Sequence, residues 1–253
     1  ALRPCLPPWI WPLWASGSAS TRVYSAVFVG LMGATSAPYP IVAQHFGGGR
    51  FAAIGATYVQ GLWMALFLSA LGVFPLLFGS LWLPWLSAPS EVEANVARYL
   101  RVLALALPGA LMFRAIYSVN TAVSRPHVVM ALQLAGLALK VCLTYLLILG
   151  GLGLPRMGAV GGAVASVVVF WALFLMGFGY MRRSPFYRRF AIHWAWPRWP
   201  DLREILHLGI PMSLSYTLEA TSFTVITLLA ARLGTRVMGS HQVGGNLAPL
   251  CFI

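Results

Sequence analysis

One carboxylate stands where a carboxylate is expensive. Glu219 lies near the middle of the stretch 206–233, LHLGIPMSLSYTLEATSFTVITLLAARL, an apolar run long enough to cross a bilayer. On insertion scales a charge at a helix centre costs about 2.5–3.5 kcal/mol, while each Leu, Ile, Phe or Val returns about 0.3–0.6. The run holds eleven such residues, which together return about 3–6 kcal/mol. It therefore inserts despite its acid. Ser215 lies four residues before Glu219 and Ser222 three after it, so a helix puts all three on one face, which is expected to look into a polar cavity. Low dielectric favours the protonated carboxyl and a nearby cation favours the ionised one, so a proton and Na⁺ or a cationic substrate can compete for this group. The plainer alternative is a neutral structural acid hydrogen-bonded to Ser215 or Ser222.

Two further charges sit inside apolar runs. Lys140 is deep in its run, with Thr144 one turn on, and is a candidate for lining a cavity. Arg114 lies toward one end of its run and is expected to snorkel along its stem to the interface. Asn246, in the last apolar stretch, is a further candidate for contact with substrate. Pro40, Pro108 and Pro211 each lie within or beside a run and are candidates for gating bends or plain kinks. The five histidines are scattered and the three cysteines have no framework spacing, so neither a metal site nor a disulfide is implied. HExxH, GxSxG and Gly-rich phosphate loops do not occur, so the familiar signatures of intramembrane or ATP-driven enzymes are missing, and no cofactor is expected.

The elements that position these residues are membrane spans. Of the 253 residues, 59% are hydrophobic and 9% charged, and the mean hydropathy is +0.79; in soluble domains about a quarter of residues are charged. The lipid bilayer is the first partner this composition implies. The net charge of +12 would suggest nucleic acid in a soluble chain. Here the basic residues fall largely between apolar runs, without a basic helix or an RNA-binding motif, so they read as a topology signal. The sequence does not begin with Met and stops at LAPLCFI within an apolar stretch, which predicts a processed or fragmentary chain.

Residues 1–21 form an atypical Pro- and Trp-rich N-terminus in which Pro4, Pro7, Pro8 and Pro12 oppose a helix. Spans are predicted over 23–44, 56–85, 90–122, 127–149 and 159–181. The turn HFGGGR follows the first, Ser90 with Glu91 and Glu93 starts the third, and the Gly- and Pro-rich GGLGLPRMG closes the fourth. Gly158, Gly162 and Ser166 open the fifth with small residues at four-residue spacing that permit close helix packing. The first bundle thus occupies 22–181. A basic loop over 182–205 follows, then the Glu219 run and a truncated seventh span within 206–253. Alternate loops carry eight and six arginines, and the long loop decides the bias. That loop is expected on the cytoplasmic side.

Three stretches carry a family resemblance. PYPIVAQHFGGGRFAAIGATYVQGLW (38–63) resembles the second and third helices of the multidrug and toxic compound extrusion (MATE) family. LKVCLTYLLILGGLGLPRMGAVGGAVAS (139–166) is similar to that family's fifth helix and the Gly-rich start of its sixth. GIPMSLSYTLEATSF (209–223) with LGTRVMGSHQVGGNL (233–247) resembles the seventh helix and the start of the eighth.

The resemblance implies an all-α polytopic membrane protein, a MATE-like helical bundle in which twelve helices form two lobes. This chain would supply about six full transmembrane helices and a truncated seventh: a first lobe lacking a clear first helix, and the start of the second. It also implies an antiporter of a bacterial inner membrane that exports small organic, mostly cationic drugs against Na⁺ or H⁺. Glu219 matches the embedded coupling glutamate. Thr144 departs from a common asparagine, residues 1–21 hold no counterpart of the first helix's aspartate, and helices nine to twelve are missing, so a second lobe is expected to be required for activity. Two alternatives stand beside this: a flippase of the same superfamily for lipid-linked or polysaccharide precursors, favoured if Lys140 and Arg114 line one cavity, and a non-transporting scaffold or inactive remnant.

Overall fold

The computed structural model describes residues 24–25, 27–78, 90–149, 158–232 and 244, and every regular element among them is helical. In chain order these are α1 (27–36), α2 (Pro38–Gly47), α3 (Phe51–Leu77), α4 (Ser90–Ala104), α5 (Ala106–Ala122), α6 (Pro126–Leu149), α7 (Gly158–Arg183), the single turn α8 (Pro185–Arg188) and α9 (Trp199–Arg232). Four stretches among the described residues are long and apolar enough to cross a bilayer: Phe51–Leu77, Ala97–Ala122, Pro126–Leu147 and Val160–Arg183. Helices meet the demand of hydrocarbon because each satisfies its own backbone. Residues 1–21, the tryptophan-rich end of the second predicted span and Asn246 lie outside the described residues.

The first and third predicted spans are each two helices, and proline is the reason. Proline lacks the N–H that would bond the carbonyl four residues back, and its ring crowds that carbonyl. Pro38 thus releases the Ala34 carbonyl, which accepts instead from the Ala37 N–H at 3.3 Å, and α2 restarts one residue later. Pro108 does the same to Ala104: Leu105 turns back to the Val102 carbonyl at 3.1 Å, and α5 begins at Ala106. Trp171 on α7 donates to the Leu105 carbonyl at 2.9 Å and ties down this second break. Pro40 sits in the first turn of α2, where a missing donor costs little. Pro211 lies inside α9, which remains helical through it. Between α2 and α3 the triple-glycine turn needs its glycine at residue 49, whose φ is +69°, and the Arg50 N–H closes it on the His45 carbonyl at 2.9 Å.

α5 is the hub. Twelve of its 17 residues are buried, and it contributes to all three apolar clusters. Leu107 and Leu111 join Ile41, Leu68, Leu103 and Ile205. Ile116 and Val119 join Val42, Tyr58, Met181 and Phe190. Phe113 meets Val129, Leu132 and Leu173. α6 is the outer wall: its apolar stretch is only 17% buried, against 67% for Ala97–Ala122. Met130, Leu134, Leu137, Val141 and Tyr145 form an exposed stripe along α6 at three- and four-residue spacing, as a lipid-facing helix requires. The close contact at the start of α7 falls one residue from the predicted spacing. A Cβ on Gly161 would meet the Leu147 carbonyl oxygen at 2.9 Å, whereas one on Gly162 would meet nothing within 4 Å.

The connection from α7 to α9 is strapped to the bundle by buried polar side chains. Gln60 on α3 donates to the Trp196 carbonyl at 3.1 Å and accepts from the Arg198 N–H at 3.0 Å. One turn on, Trp63 donates to the Ala195 carbonyl at 3.0 Å, and its ring lies against those of Trp194 and Trp196. A Cβ on Gly55 would collide with the Phe190 carbonyl oxygen, so only glycine permits this docking. Asn120 of α5 accepts from the Tyr187 hydroxyl at 2.5 Å and donates to the Ile116 carbonyl at 2.8 Å. Burial, reinforced by Tyr180 and opposed by Arg125, pushes the Tyr187 phenol up to about 12.

Replacing Gln60 tests the strap. Gln60→Ala orphans a carbonyl and an N–H at once and is expected to cost about 1–3 kcal/mol, read as faster hydrogen exchange over 190–198 and a lower thermal midpoint in detergent. Gln60→Glu keeps the acceptor for Arg198 but loses the donor to Trp196, and should fall between Gln60→Ala and wild type.

Candidate functional site

α9 reaches the bundle through a crossing built on glycine. A Cβ on Gly33 of α1 would collide with the Ser213 Cα, and one on Gly209 would lie 2.8 Å from the Ala34 Cα. Gly209, Ser213 and Thr217 recur every fourth residue and form the face of α9 turned to α1. Ser215, Glu219 and Ser222 share the other side, and all three are exposed. Among the described residues nothing covers this face, and Glu219 makes no hydrogen bond to Ser215 or Ser222.

The hydroxyls around Glu219 spend their protons on their own helix. Ser222 donates to the Leu218 carbonyl at 2.8 Å, Thr221 to Thr217 at 2.7 Å and Thr224 to Ala220 at 2.8 Å. Such back-bonding leaves only oxygen lone pairs facing outward. The carboxylate is thus flanked by an acceptor, an arrangement suited to a cation or an incoming proton.

A second candidate site lies at the edge of the bundle. A cavity of about 400 Å³ opens between α1, α5, α6 and α7, with Arg114, Tyr117, Gln133, Lys140 and Ser166 as its polar lining. Arg114 turns toward its neighbours in the bundle. Its Nε donates to the Ser36 hydroxyl at 3.3 Å and its guanidinium lies 4.5 Å from the centre of the Tyr117 ring. Two partners on the protein side hold it inward, and Ser36 is in turn placed by its bond to the Met32 carbonyl at 2.8 Å. Lys140 follows Gln133 and Gly136 at helical spacing, so the three present one edge of α6 to the cavity, and Lys140 and Arg114 line one space, as the flippase alternative requires. Thr144, one turn beyond, is half-buried and outside the lining. Pro40, Pro108 and Pro211 lie on three different helices, α2, α5 and α9.

Sequence reasoning missed the inward turn of Arg114 and the polar partners Tyr117 and Gln133. The signal was present as spacing: Arg114 and Tyr117 are three apart, and Gln133 and Lys140 seven apart, so each pair shares a face. Which face looked inward depended on the neighbouring helices.

Similarity to known proteins extends over nearly the whole chain. The MatE family model matches residues 14–146, more than half of the chain. A probable multidrug resistance protein NorM of Aromatoleum aromaticum is 37% identical over 241 residues, covering 94% of this chain and 52% of its own length. Among solved structures, the MATE transporter NorM-NG, in complex with a monobody, is 27% identical with a TM-score of 0.73, over 94% of this chain and 52% of that one. The Vibrio cholerae MATE transporter VcmN in its bent form shares the fold at 19% identity and a TM-score of 0.78, over 92% and 52%. The chain spans about half the length of the curated relatives it matches.

The crossing that carries α9 is open to direct test. Gly33→Leu is expected to part α9 from α1, seen as faster hydrogen exchange over 205–217. Gly162→Ala, where a Cβ meets nothing, should instead be neutral or stabilise by up to about 1 kcal/mol, the helix propensity difference between the two residues.

Proposed function

The chain belongs to the MATE family, and from that premise we propose that it forms part of a cation-coupled antiporter that exports organic, mostly cationic drugs across a bacterial inner membrane, with Glu219 as the coupling carboxylate. The observation that carries the reading is the arrangement on α9: a single acid among apolar neighbours, flanked by outward lone pairs, on the side of the helix that the first bundle leaves uncovered. A Na⁺ or H⁺ arriving at Glu219 would compete with a positively charged substrate for the same charge. Exchange then requires only that ion and substrate differ in their preference for two states of the protein. Several relatives bear the names of multidrug resistance proteins, such as MdtK of Proteus mirabilis, which supports export as the activity. The second lobe of such a transporter would provide the other wall of the site, since the described residues cover only one side of α9.

The test is a transport assay in a full-length transporter carrying these residues. With Glu219→Gln, extrusion of ethidium driven by a Na⁺ or H⁺ gradient is expected to fall to background while expression and insertion are unchanged. Extrusion equal to wild type would remove Glu219 from the mechanism. Ser222→Ala, which deletes the flanking oxygen, should weaken the response to the coupling ion without abolishing it.

A further inference from the structure

We infer that the cavity between α1, α5, α6 and α7 binds the anionic head of an amphipathic molecule, a phosphate or carboxylate on an apolar body, with Arg114 and Lys140 holding the charge. Both cations line this one space, and no acid does: the described helices carry their acids on α4 and α9 alone. Two positive charges sharing an apolar-walled cavity within the membrane need a counter-charge. Nothing on the described protein supplies it.

Both cations sit well inside their helices. Lys140 is 14 residues from the start of α6 and nine from its end, about 21 Å and 14 Å along the axis. Arg114 is pinned by Ser36 and Tyr117. Its Nε is engaged, and its two terminal nitrogens have no hydrogen-bond partner among the described residues; a planar guanidinium with two such nitrogens matches the paired oxygens of a phosphate or carboxylate. Lys140 makes no ion pair or hydrogen bond among the described residues, and Gln133 adds an amide donor on the same edge of α6.

The remaining walls accept an apolar body. Phe28, Phe113 and Phe170 line the cavity with Met32 and Leu173, and its volume falls within the range of about 300–1,000 Å³ typical of small-molecule sites. Gln133, Leu137 and Lys140 are exposed, so the space opens at the α6 edge, beside the lipid-facing stripe. A ligand with a charged head and an apolar tail fits that geometry. An organic cation is repelled by it, so this site is distinct from the Glu219 face and stands whether or not Glu219 couples an ion.

Titration of the detergent-purified chain with 1-naphthyl phosphate, and with 1-naphthol as its uncharged counterpart, tests the inference. Saturable binding of the phosphate in clear preference to the alcohol is expected. Lys140→Met should weaken it about tenfold or more, the loss of one charged hydrogen bond, whereas Lys140→Arg should retain it. Lys140 is exposed, so an unchanged thermal midpoint is expected to accompany the loss; should Arg114→Met unfold the protein, Lys140→Met decides alone. Equal binding of phosphate and alcohol, or wild-type affinity in Lys140→Met, overturns the inference, and a carboxylate from elsewhere neutralising the pair would give that same result. In nanodiscs of phosphatidylcholine with and without phosphatidylglycerol, displacement of the probe by the anionic lipid identifies a lipid head as the source. Undiminished probe binding there identifies a free organic anion.

Discussion

α5 is enclosed on nearly every side, and the rest of the structure is arranged around that enclosure. A helix touched by α2, α3, α4, α6 and α7 has little outer surface on which to place a bulky or unpaired group. Its sequence answers with small residues: Ala106, Gly109, Ala110, Ala115, Ser118 and Ala122 let neighbouring backbones approach, and the larger side chains between them fill what remains. Enlarging any of these would force shifts that cost about 1–3 kcal/mol in a packed core. The same enclosure explains why the two fully buried polar side chains on α5 are both partnered. Asn120 bonds to Tyr187 and Ile116, and Ser118 reaches the Thr35 carbonyl at 3.4 Å across to the break between α1 and α2.

The helices themselves were largely legible, because a bilayer forces a simple code of length and apolarity. The predicted spans over 127–149 and 159–181 lie within two residues of α6 and α7 at each end. The breaks at Ala37 and Leu105 were not legible, for a physical reason that Pro211 makes plain. Proline always removes one donor, but whether the chain then breaks depends on what neighbouring groups do for the freed carbonyl. The chain breaks ahead of Pro108, where Trp171 steadies the turn; α9 runs through Pro211. Likewise the depth of Glu219 follows from its neighbours in sequence. The direction it faces follows from Gly33 and Gly209, which are far apart in the chain. Gln60 and Asn120 carried no signal at all, since a buried amide is indistinguishable from an exposed one until its partners are known.

Glu219 is kept apart from the two cations Arg114 and Lys140. The acid sits on α9, outside the first bundle, and the two cations sit within it. Opposite charges placed together would have neutralised each other and left neither free to meet a ligand. Held apart, neither sign is neutralised by the other.

The strap on the α7–α9 connection gives α9 an unusual mechanical character. With its beginning lashed to α3 through Gln60 and Trp63 and its flank resting on α1 at Gly209, the helix is a rod on a fulcrum. Glu219 stands ten residues past that point, about 15 Å out along the axis, so a tilt of about 10° there would carry the carboxylate through about 2.6 Å. That travel is on the scale of a metal–oxygen bond. In the antiporter proposed above, leverage of this kind would let a slight rocking of two packed backbones shift Glu219 relative to its coupling ion, without any residue near it having to change its rotamer.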